Sequence, residues 1–217
     1  MEVLIVSKTQ MKSAVCVGGL LLDYDANIRL LNPGNRNQPI DTDFEIGQIW
    51  DLRFIKRNPL HLPHTEDRIV LEKNHLRKLD NIYSFLIERN INIHEGSAKE
   101  LFESKLEWTQ YGSGFIREEN KLPDYSVGFW KSDRDLELYQ SFNKPRYRYN
   151  SNINLPFVGL QEPVNILPKG TLLRYSLTRA FDKDKNGKKS SWLQLSGWYE
   201  NKETKIDFDL IDDDLPF

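Results

Sequence analysis

The sequence predicts a mainly β protein with minor α content: two small β-barrels in tandem, one or two helices and an acidic C-terminal tail. Three observations favour this fold class. Short runs rich in β-branched and aromatic residues recur along the whole chain, separated by turn residues. Twelve glycines and ten prolines in 217 residues suit a chain with many turns better than a helical bundle. Only one long segment has the apolar spacing of an amphipathic helix.

Five strands are expected in the first half of the chain. Each run combines β-branched residues with polar punctuation, and the first three follow one another closely enough for an antiparallel meander. Gly18 and Gly19 in the second strand suit a bulge or sharp bend, the device by which small barrels turn a corner. The five runs span residues 3–7, 13–23, 27–31, 46–55 and 68–74.

Two helices are expected after these strands. Residues 75–90 place apolar side chains at three- and four-residue spacing, which gives one apolar stripe. A second, short helix is expected at residues 97–105, where Ser97 and Glu100 form a capping box. Five strands and these helices complete a compact first unit.

The second half repeats this organisation without obvious sequence identity. Seven strands are expected there, spanning residues 114–117, 126–131, 136–140, 146–149, 155–160, 171–181 and 192–199. We therefore predict three parts: a first barrel with its helices over residues 1–105, a second barrel over 106–202, and an acidic tail over 203–217.

Composition excludes several classes of protein. The longest apolar run, residues 14–22, is far shorter than the roughly 18 residues of a membrane span. The N-terminus has no basic region ahead of an apolar stretch, so no cleaved secretory signal is expected. A single cysteine, Cys16, excludes an intrachain disulfide framework and a cysteine-rich metal site. We expect a cytoplasmic protein.

The charge of the chain is unevenly distributed. The net charge is −2, but residues 203–217 contain six acidic residues and one basic residue. Residues 144–192 contain ten basic and three acidic residues. This asymmetry predicts a basic surface on the second barrel followed by an acidic tail, although a solvated charged face without a ligand would look the same.

Five short segments of the first half carry a family resemblance: IVSK (5–8), CVGG (16–19), NIRLLN (27–32), IGQIWDLRF (46–54) and PHTED (63–67). Together they resemble the dual-OB domain family, prokaryotic proteins with two tandem oligonucleotide/oligosaccharide-binding (OB) barrels. The resemblance covers roughly residues 1–75 and is only architectural beyond them. Genes of this family often lie near defence or DNA-processing genes. The resemblance implies OB-like barrels and nucleic-acid binding, without identifying a substrate.

The segment KPRYRYN (144–150) interleaves basic and aromatic side chains. On a strand, alternation places the two arginines on one face and the two tyrosines on the other. Single-strand binders combine a basic groove for phosphates with aromatic faces for bases. The sequence therefore predicts a nucleic-acid-binding surface formed by Lys144, Arg146, Tyr147, Arg148, Tyr149, Arg174, Lys188, Lys189 and Trp192. Alternatively, the tyrosines belong to the core and the arginines are only solvated.

The last residues, IDFDLIDDDLPF (206–217), are similar to the acidic tip of bacterial single-stranded DNA-binding proteins. Aspartates steer such a tip towards a basic surface, and a terminal Phe fills an apolar pocket while its α-carboxylate accepts charge-assisted hydrogen bonds. The resemblance implies that the tip recruits a DNA repair, replication or defence protein. The matching residues are Asp212, Asp213, Asp214, Leu215, Pro216 and Phe217. An ordinary solubilising tail is the alternative.

No enzyme signature is present: the sequence lacks a phosphate loop, a dinucleotide turn and a nucleophile elbow. His61, His64 and His75 indicate a structural loop rather than a metal site, and no metal or cofactor is expected. The leading hypothesis is a non-enzymatic protein that binds single-stranded nucleic acid, DNA favoured, and recruits a partner. A protein-interaction adaptor without DNA contact is the second hypothesis. A tail that folds back and competes for the basic groove is the third.

Overall fold

The first unit is a closed barrel of five strands. A computed structural model describes residues 1–141, 143–183, 185 and 187–201. The strands join in the order β1-β2-β3-β5-β4, with β4 pairing back onto β1, and only the β3–β5 pair is parallel. Their bounds are β1 Glu2–Gln10, β2 Val15–Leu21, β3 Ala26–Leu31, β4 Gln48–Lys56 and β5 Asp67–Lys78.

Strand β1 is buried on both faces, and its sequence reflects this position. Val3 and Ile5 point into the barrel core, whereas Leu4 and Val6 pack on the opposite side against the second unit. A strand covered on both faces reads as a continuous apolar run instead of an alternating one.

The glycine pair of β2 lies opposite an irregularity of β1, near the predicted bend. The pairing register shifts between Ile5 and Ser7, which face Gly19 and Gly18. The extra residue of β1 increases the local twist and helps the sheet to close.

The first predicted helix begins later in the structure than the sequence indicated. Helix α1 spans Ile82–Glu88, and the Asn81 side chain accepts a hydrogen bond from the backbone of Ser84 at 3.1 Å. Residues 75–78 belong to β5 instead, because they continue the pairing with β4. Pairing with β4 satisfies the backbone N–H and C=O groups of these residues, and the spacing of apolar side chains in the sequence carries no information about such pairing. Ser97 caps a short 3₁₀ helix, Ala98–Glu100, in place of the longer predicted helix.

The second unit is a half-open barrel made of two sheets. One sheet has the order β6-β9-β14-β15-β8-β7 and the other the order β12-β11-β10-β13. The bounds are β6 Ile93–Gly96, β7 Glu107–Trp108, β8 Gly114–Arg117, β9 Val127–Ser132, β10 Leu136–Ser141, β11 Lys144–Asn150, β12 Ile153–Pro156, β13 Ile166–Leu167, β14 Leu172–Leu177 and β15 Ser190–Tyr199. The chain is thus mainly β with tandem OB-like barrels, as predicted.

The boundary between the units lies earlier than the predicted residue 105. Strand β6 pairs in parallel with β9, and Ala98, Leu101 and Phe102 contribute to the core of the second unit. The second unit therefore begins near residue 93, and α1 lies between the two barrels in the chain.

An apolar interface joins the two units. The contact cluster combines the outer face of the first barrel, helix α1 and the six-stranded sheet of the second unit. It includes Leu4, Val6, Leu20, Ile49, Leu86, Phe129, Leu172 and Tyr199. The Tyr199 hydroxyl donates a buried hydrogen bond to the backbone oxygen of Val6 at 2.7 Å. Burial of apolar side chains from both units fixes their relative position. Within the described ranges, no helix is long and apolar enough to cross a membrane.

Candidate binding cleft between the two barrels

The tyrosines of the predicted surface are buried in the second barrel. Tyr147 is 0% and Tyr149 4% exposed, and their strand shows the predicted alternation. The Tyr147 hydroxyl donates to the backbone oxygen of Val164 at 2.9 Å, and burial raises its pKa to about 12. The Tyr149 hydroxyl donates to Asp133 at 2.7 Å. Neither ring can stack on a base here, so this part of the prediction is wrong because the rings fill the core.

The basic residues of the same strand are exposed or partly exposed, but the two arginines have local partners. Arg146 donates to the Ser113 hydroxyl at 3.0 Å. Arg148 lies over the Tyr139 ring and is 3.7 Å from the carboxylate of Glu137 on the neighbouring strand. Lys144, at the start of β11, is exposed. Of the three basic residues on this face, only Arg148 has a carboxylate partner among the described residues.

The remaining predicted residues do not join that strand. Arg174 lies on β14, which pairs with β9 and β15 rather than with β11. The Trp192 ring is covered by Phe115, Phe181 and Lys183, the last with its Nζ 4.1 Å from the ring centroid. Lys188 and Lys189 are exposed ahead of β15. The nine residues are thus scattered over three regions, because the strand order separates them.

The predicted docking tip lies outside the described residues. It comprises Asp212, Asp213, Asp214, Leu215, Pro216 and Phe217, and its role stays a prediction.

A cavity of about 370 Å³ lies between the two barrels, and we call it the interbarrel cleft. Its first wall belongs to β1, β2, β3 and the β1–β2 connection, and its second wall belongs mainly to β14, β15 and the segment after β14. Lining residues of the first wall include Met11, Cys16, Gly18 and Arg29, and those of the second include Arg174, Ser176, Arg179, Gln194 and Ser196. The face formed by strands 2 and 3 is the one with which OB folds bind oligonucleotides.

Three arginines surround one buried carboxylate beside the cleft. Asp67, 1% exposed, accepts hydrogen bonds from Arg29 Nε at 2.5 Å and Nη2 at 2.7 Å. Arg57, in the β4–β5 connection, donates to the second carboxylate oxygen at 3.0 Å. Arg179, from the second barrel, approaches the same oxygen at 3.5 Å. The cluster therefore ties the β2–β3 face, the β4–β5 connection and the second barrel together.

The pKa shifts in this cluster differ between its arginines: the pKa of Arg29 is raised, whereas that of Arg179 is lowered. Burial alone would lower the pKa of Arg29, but Cys16 and Asp67 outweigh it. Burial alone would raise the pKa of Asp67, but hydrogen bonds and charge from Arg29 and Arg57 outweigh it and hold that pKa below its ordinary value. Burial, together with repulsion from Arg29 and Arg57, lowers the pKa of Arg179. One carboxylate does not neutralise three guanidinium groups.

Arg174 lies at the enclosed end of the cleft, where it is 2% exposed. It donates to the Asn27 side chain at 3.2 Å, and its Nε has no hydrogen-bond partner. Within the described ranges, no carboxylate lies within 4.0 Å of its guanidinium. Burial lowers the pKa of Arg174, with opposing contributions from Tyr199, Cys16 and Glu66.

A glycine of the first barrel makes room for this side chain. A Cβ atom added to Gly18 would lie 2.9 Å from Nη2 of Arg174 and 2.5 Å from the Ser7 hydroxyl. A methyl group at this position would force one of these groups to move. Gly18 therefore permits the close approach of the two walls.

A second polar cluster connects the β4–β5 connection to the second barrel. The Ser126 hydroxyl donates to Glu66 and lies 2.7 Å from Nδ1 of His64. All three side chains are buried, while His64 Nε2 and Glu66 Oε2 have no partner. His75, in contrast, packs against the Trp50 ring on β4. In the described part of the chain, no group of three or more His, Cys, Asp or Glu residues is placed to hold a metal ion.

The cleft can bind an anion. Arg29, Arg174 and Arg179 line the cleft, and Arg57 adds a fourth positive charge behind them on Asp67, against the carboxylates of Asp67 and Glu66. Its hydroxyl and amide groups, from Ser176, Gln194 and Ser196, add neutral hydrogen-bonding capacity. A small site with excess guanidinium charge suits phosphate, whose oxygens accept from several donors at once.

Sequence reasoning missed most of this cleft, although a signal was present. Ser7, Gly18, Arg29, Glu66 and Asp67 all lie in the segments that resemble the dual-OB family. They are far apart in the chain and meet only through strand pairing.

The closed first barrel and the two-sheet half-barrel that follows it define a tandem OB-fold protein. The family model of the dual OB-containing domain matches residues 1–198, and the chain belongs to this family. The match extends the resemblance from the first 75 residues to both barrels. No curated protein and no solved structure matches the chain significantly. Because OB folds commonly bind nucleic acids, family membership indicates a binding role.

Proposed function

We propose that the protein binds single-stranded nucleic acid, DNA favoured, in the interbarrel cleft and catalyses no reaction on it. The observation that carries this proposal is the arginine-lined cavity on the β2–β3 face of the first barrel. This location differs from the sequence-based prediction, which used the β11 strand of the second barrel. Binding there would rest on phosphate contacts more than on base stacking.

The charge of the cleft supports a nucleic-acid ligand more than a neutral one. Arg29 and Arg179 belong to different barrels, yet both approach Asp67, so the two walls present their guanidinium groups together. Several cationic groups on a strand's path give affinity that falls steeply with salt, because bound counterions are released.

The proposal includes a recruiting role for the C-terminal tip, Asp212 to Phe217, in a DNA repair, replication or defence process. Its support is the sequence pattern of aspartates followed by Leu-Pro-Phe. The protein-interaction adaptor remains the alternative, and the burial of Tyr147 and Tyr149 favours it, because base-stacking rings are missing from the surface first predicted. The cytoplasmic location also stays a prediction.

Fluorescence anisotropy with a labelled single-stranded oligonucleotide tests this function. Affinity should fall by at least about tenfold between roughly 50 and 200 mM salt. Arg179→Glu should weaken binding strongly. Arg148→Glu is the matched control, because both arginine side chains are about half exposed, at 53% and 52%, and both substitutions change the charge equally.

The two variants separate three outcomes. Weaker binding by Arg179→Glu alone supports the cleft, whereas weaker binding by Arg148→Glu alone supports the second-barrel surface that the sequence suggested. Undetectable binding of DNA and RNA by the unmodified protein at low salt would reject the proposal in favour of the adaptor.

A further inference from the structure

The enclosed end of the interbarrel cleft contains a buried charge that the protein itself does not neutralise. Arg174 lines the cleft and is 2% exposed, and within the described residues no carboxylate lies within 4.0 Å of its guanidinium. A buried guanidinium without a carboxylate partner is costly to the folded state. Such a group is best explained by an anion that enters the cavity from outside.

The surroundings of Arg174 suit a compact anion rather than a flat ring. Gly18 leaves open the space that a methyl group would occupy between Ser7 and Arg174. The cleft also contains Arg179 and the serines of β14 and β15. Guanidinium and hydroxyl donors that converge on a small volume match the oxygens of a tetrahedral phosphate.

The size and shape of the cleft limit which part of a nucleic acid can enter. A volume of about 370 Å³ is near the lower end of ligand pockets, so it holds about one nucleotide. Arg174 is almost fully buried, and the cavity has room for about one nucleotide beside it. We therefore expect the end of a strand, or a free nucleotide, to reach this position more readily than the middle of a continuous strand.

We propose that the enclosed end of the cleft, formed by Arg174, Arg179 and Gly18, binds a phosphate monoester, namely the terminal phosphate of a single strand. This inference rests on the proposed function and specifies which part of the nucleic acid the cleft recognises. A terminal phosphate has up to one more negative charge than an internal phosphodiester, which suits the excess of guanidinium groups over carboxylates in the cleft.

The test compares oligonucleotides of one sequence with a 5′-phosphate, a 3′-phosphate or hydroxyl groups at both ends. We expect the full-length protein to bind one of the phosphorylated strands about tenfold more tightly than the hydroxyl strand. Arg174→Met should abolish this difference, so that the phosphorylated strands and the hydroxyl strand bind with the same affinity. Thermal unfolding of the variant checks that it is folded.

Cys16 provides a second measurement that needs no substitution. It is the only cysteine of the sequence and lines the cleft, so a bound ligand should slow its alkylation. The phosphorylated strand should protect it at about tenfold lower concentration than the hydroxyl strand. Inorganic phosphate and a nucleoside monophosphate are tested in parallel, and protection at a similarly low concentration by the mononucleotide would assign the site to a free nucleotide.

The outcomes distinguish this inference from the proposed function. Equal binding and equal protection by all strands would overturn the terminal-phosphate site and leave nucleic-acid binding intact. Protection by phosphate or mononucleotide without any strand binding would support the monoester site and reject the proposed function. If no strand, mononucleotide or phosphate binds or protects, both fall.

Discussion

Arg174→Met should stabilise the protein, although it removes the side chain that we place at the centre of ligand binding. The guanidinium is buried without a carboxylate partner in the described structure, and burial lowers its pKa. The effective penalty for burying one such ion is several kcal/mol. Functional sites often retain groups that reduce stability.

The expected increase in the free energy of unfolding follows from the interactions and the buried charge that Arg174→Met removes. The hydrogen bond to Asn27, at 3.2 Å, is worth about 1.5–3 kcal/mol, and the contact with the Phe129 ring, at 5.9 Å, about 1 kcal/mol. Methionine replaces the aliphatic stem and adapts to irregular space. A net gain of about 1 kcal/mol remains, which should raise Tm by about 2–4 °C for a chain of this length.

Arg29→Met is the matched control, because the same substitution is made on the opposite wall of the same cleft. Arg29 makes two hydrogen bonds to the buried carboxylate of Asp67, which keeps only Arg57 and Arg179 after the change. We expect Arg29→Met to lower the free energy of unfolding by about 2–3 kcal/mol. Urea unfolding of both variants gives the comparison. A similar loss in both would refute the reasoning, since the charge of Arg174 would then be compensated within the folded protein.

Three further predictions concern the pH dependence of stability, the close packing at Gly18 and the acidic tail. The pKa of Asp67 is lowered in the folded state, so its carboxylate stabilises the fold above about pH 4, and this stabilisation is lost as the pH falls through the folded-state pKa. Asp67→Asn should therefore make the free energy of unfolding, measured in urea, depend less on pH in the acid range. An unchanged pH dependence would contradict this prediction. Gly18→Ala should displace Arg174 and remove the preference for phosphorylated strands in anisotropy, unlike Gly34→Ala in the exposed loop after β3. Truncation after residue 205 should tighten strand binding if the acidic residues compete for the cleft, and unchanged affinity would exclude competition.

Strand positions were largely predictable because side-chain alternation is a local property. Strand β8 spans Gly114–Arg117 as expected, and β11 shows the predicted alternation, with Tyr147 and Tyr149 on one face. Residues 75–78 were assigned to a helix because their spacing also fits a helical stripe. Their pairing with β4 decides the outcome, and no local pattern contains that information.

The cleft was less predictable because its residues come together only in three dimensions. A basic and aromatic segment such as 144–150 draws attention in a sequence, since its charges are adjacent in the chain. Arg29 and Arg179 are 150 positions apart, and each resembles an ordinary surface arginine. Only the interface between the barrels shows that both approach one carboxylate. Charge density along the chain therefore pointed to a different surface from the cleft proposed here.

The two barrels form one site rather than two independent ones. The space that Arg174 occupies depends on Gly18 of the other barrel, and Asp67 is contacted by arginines from both. The same association buries Leu4 and Val6, which an isolated first barrel would expose to water. Folding and the proposed ligand binding thus depend on the same interface. A change that separates the barrels should remove the cleft together with part of the core, so the proposed binding site requires both OB-like units.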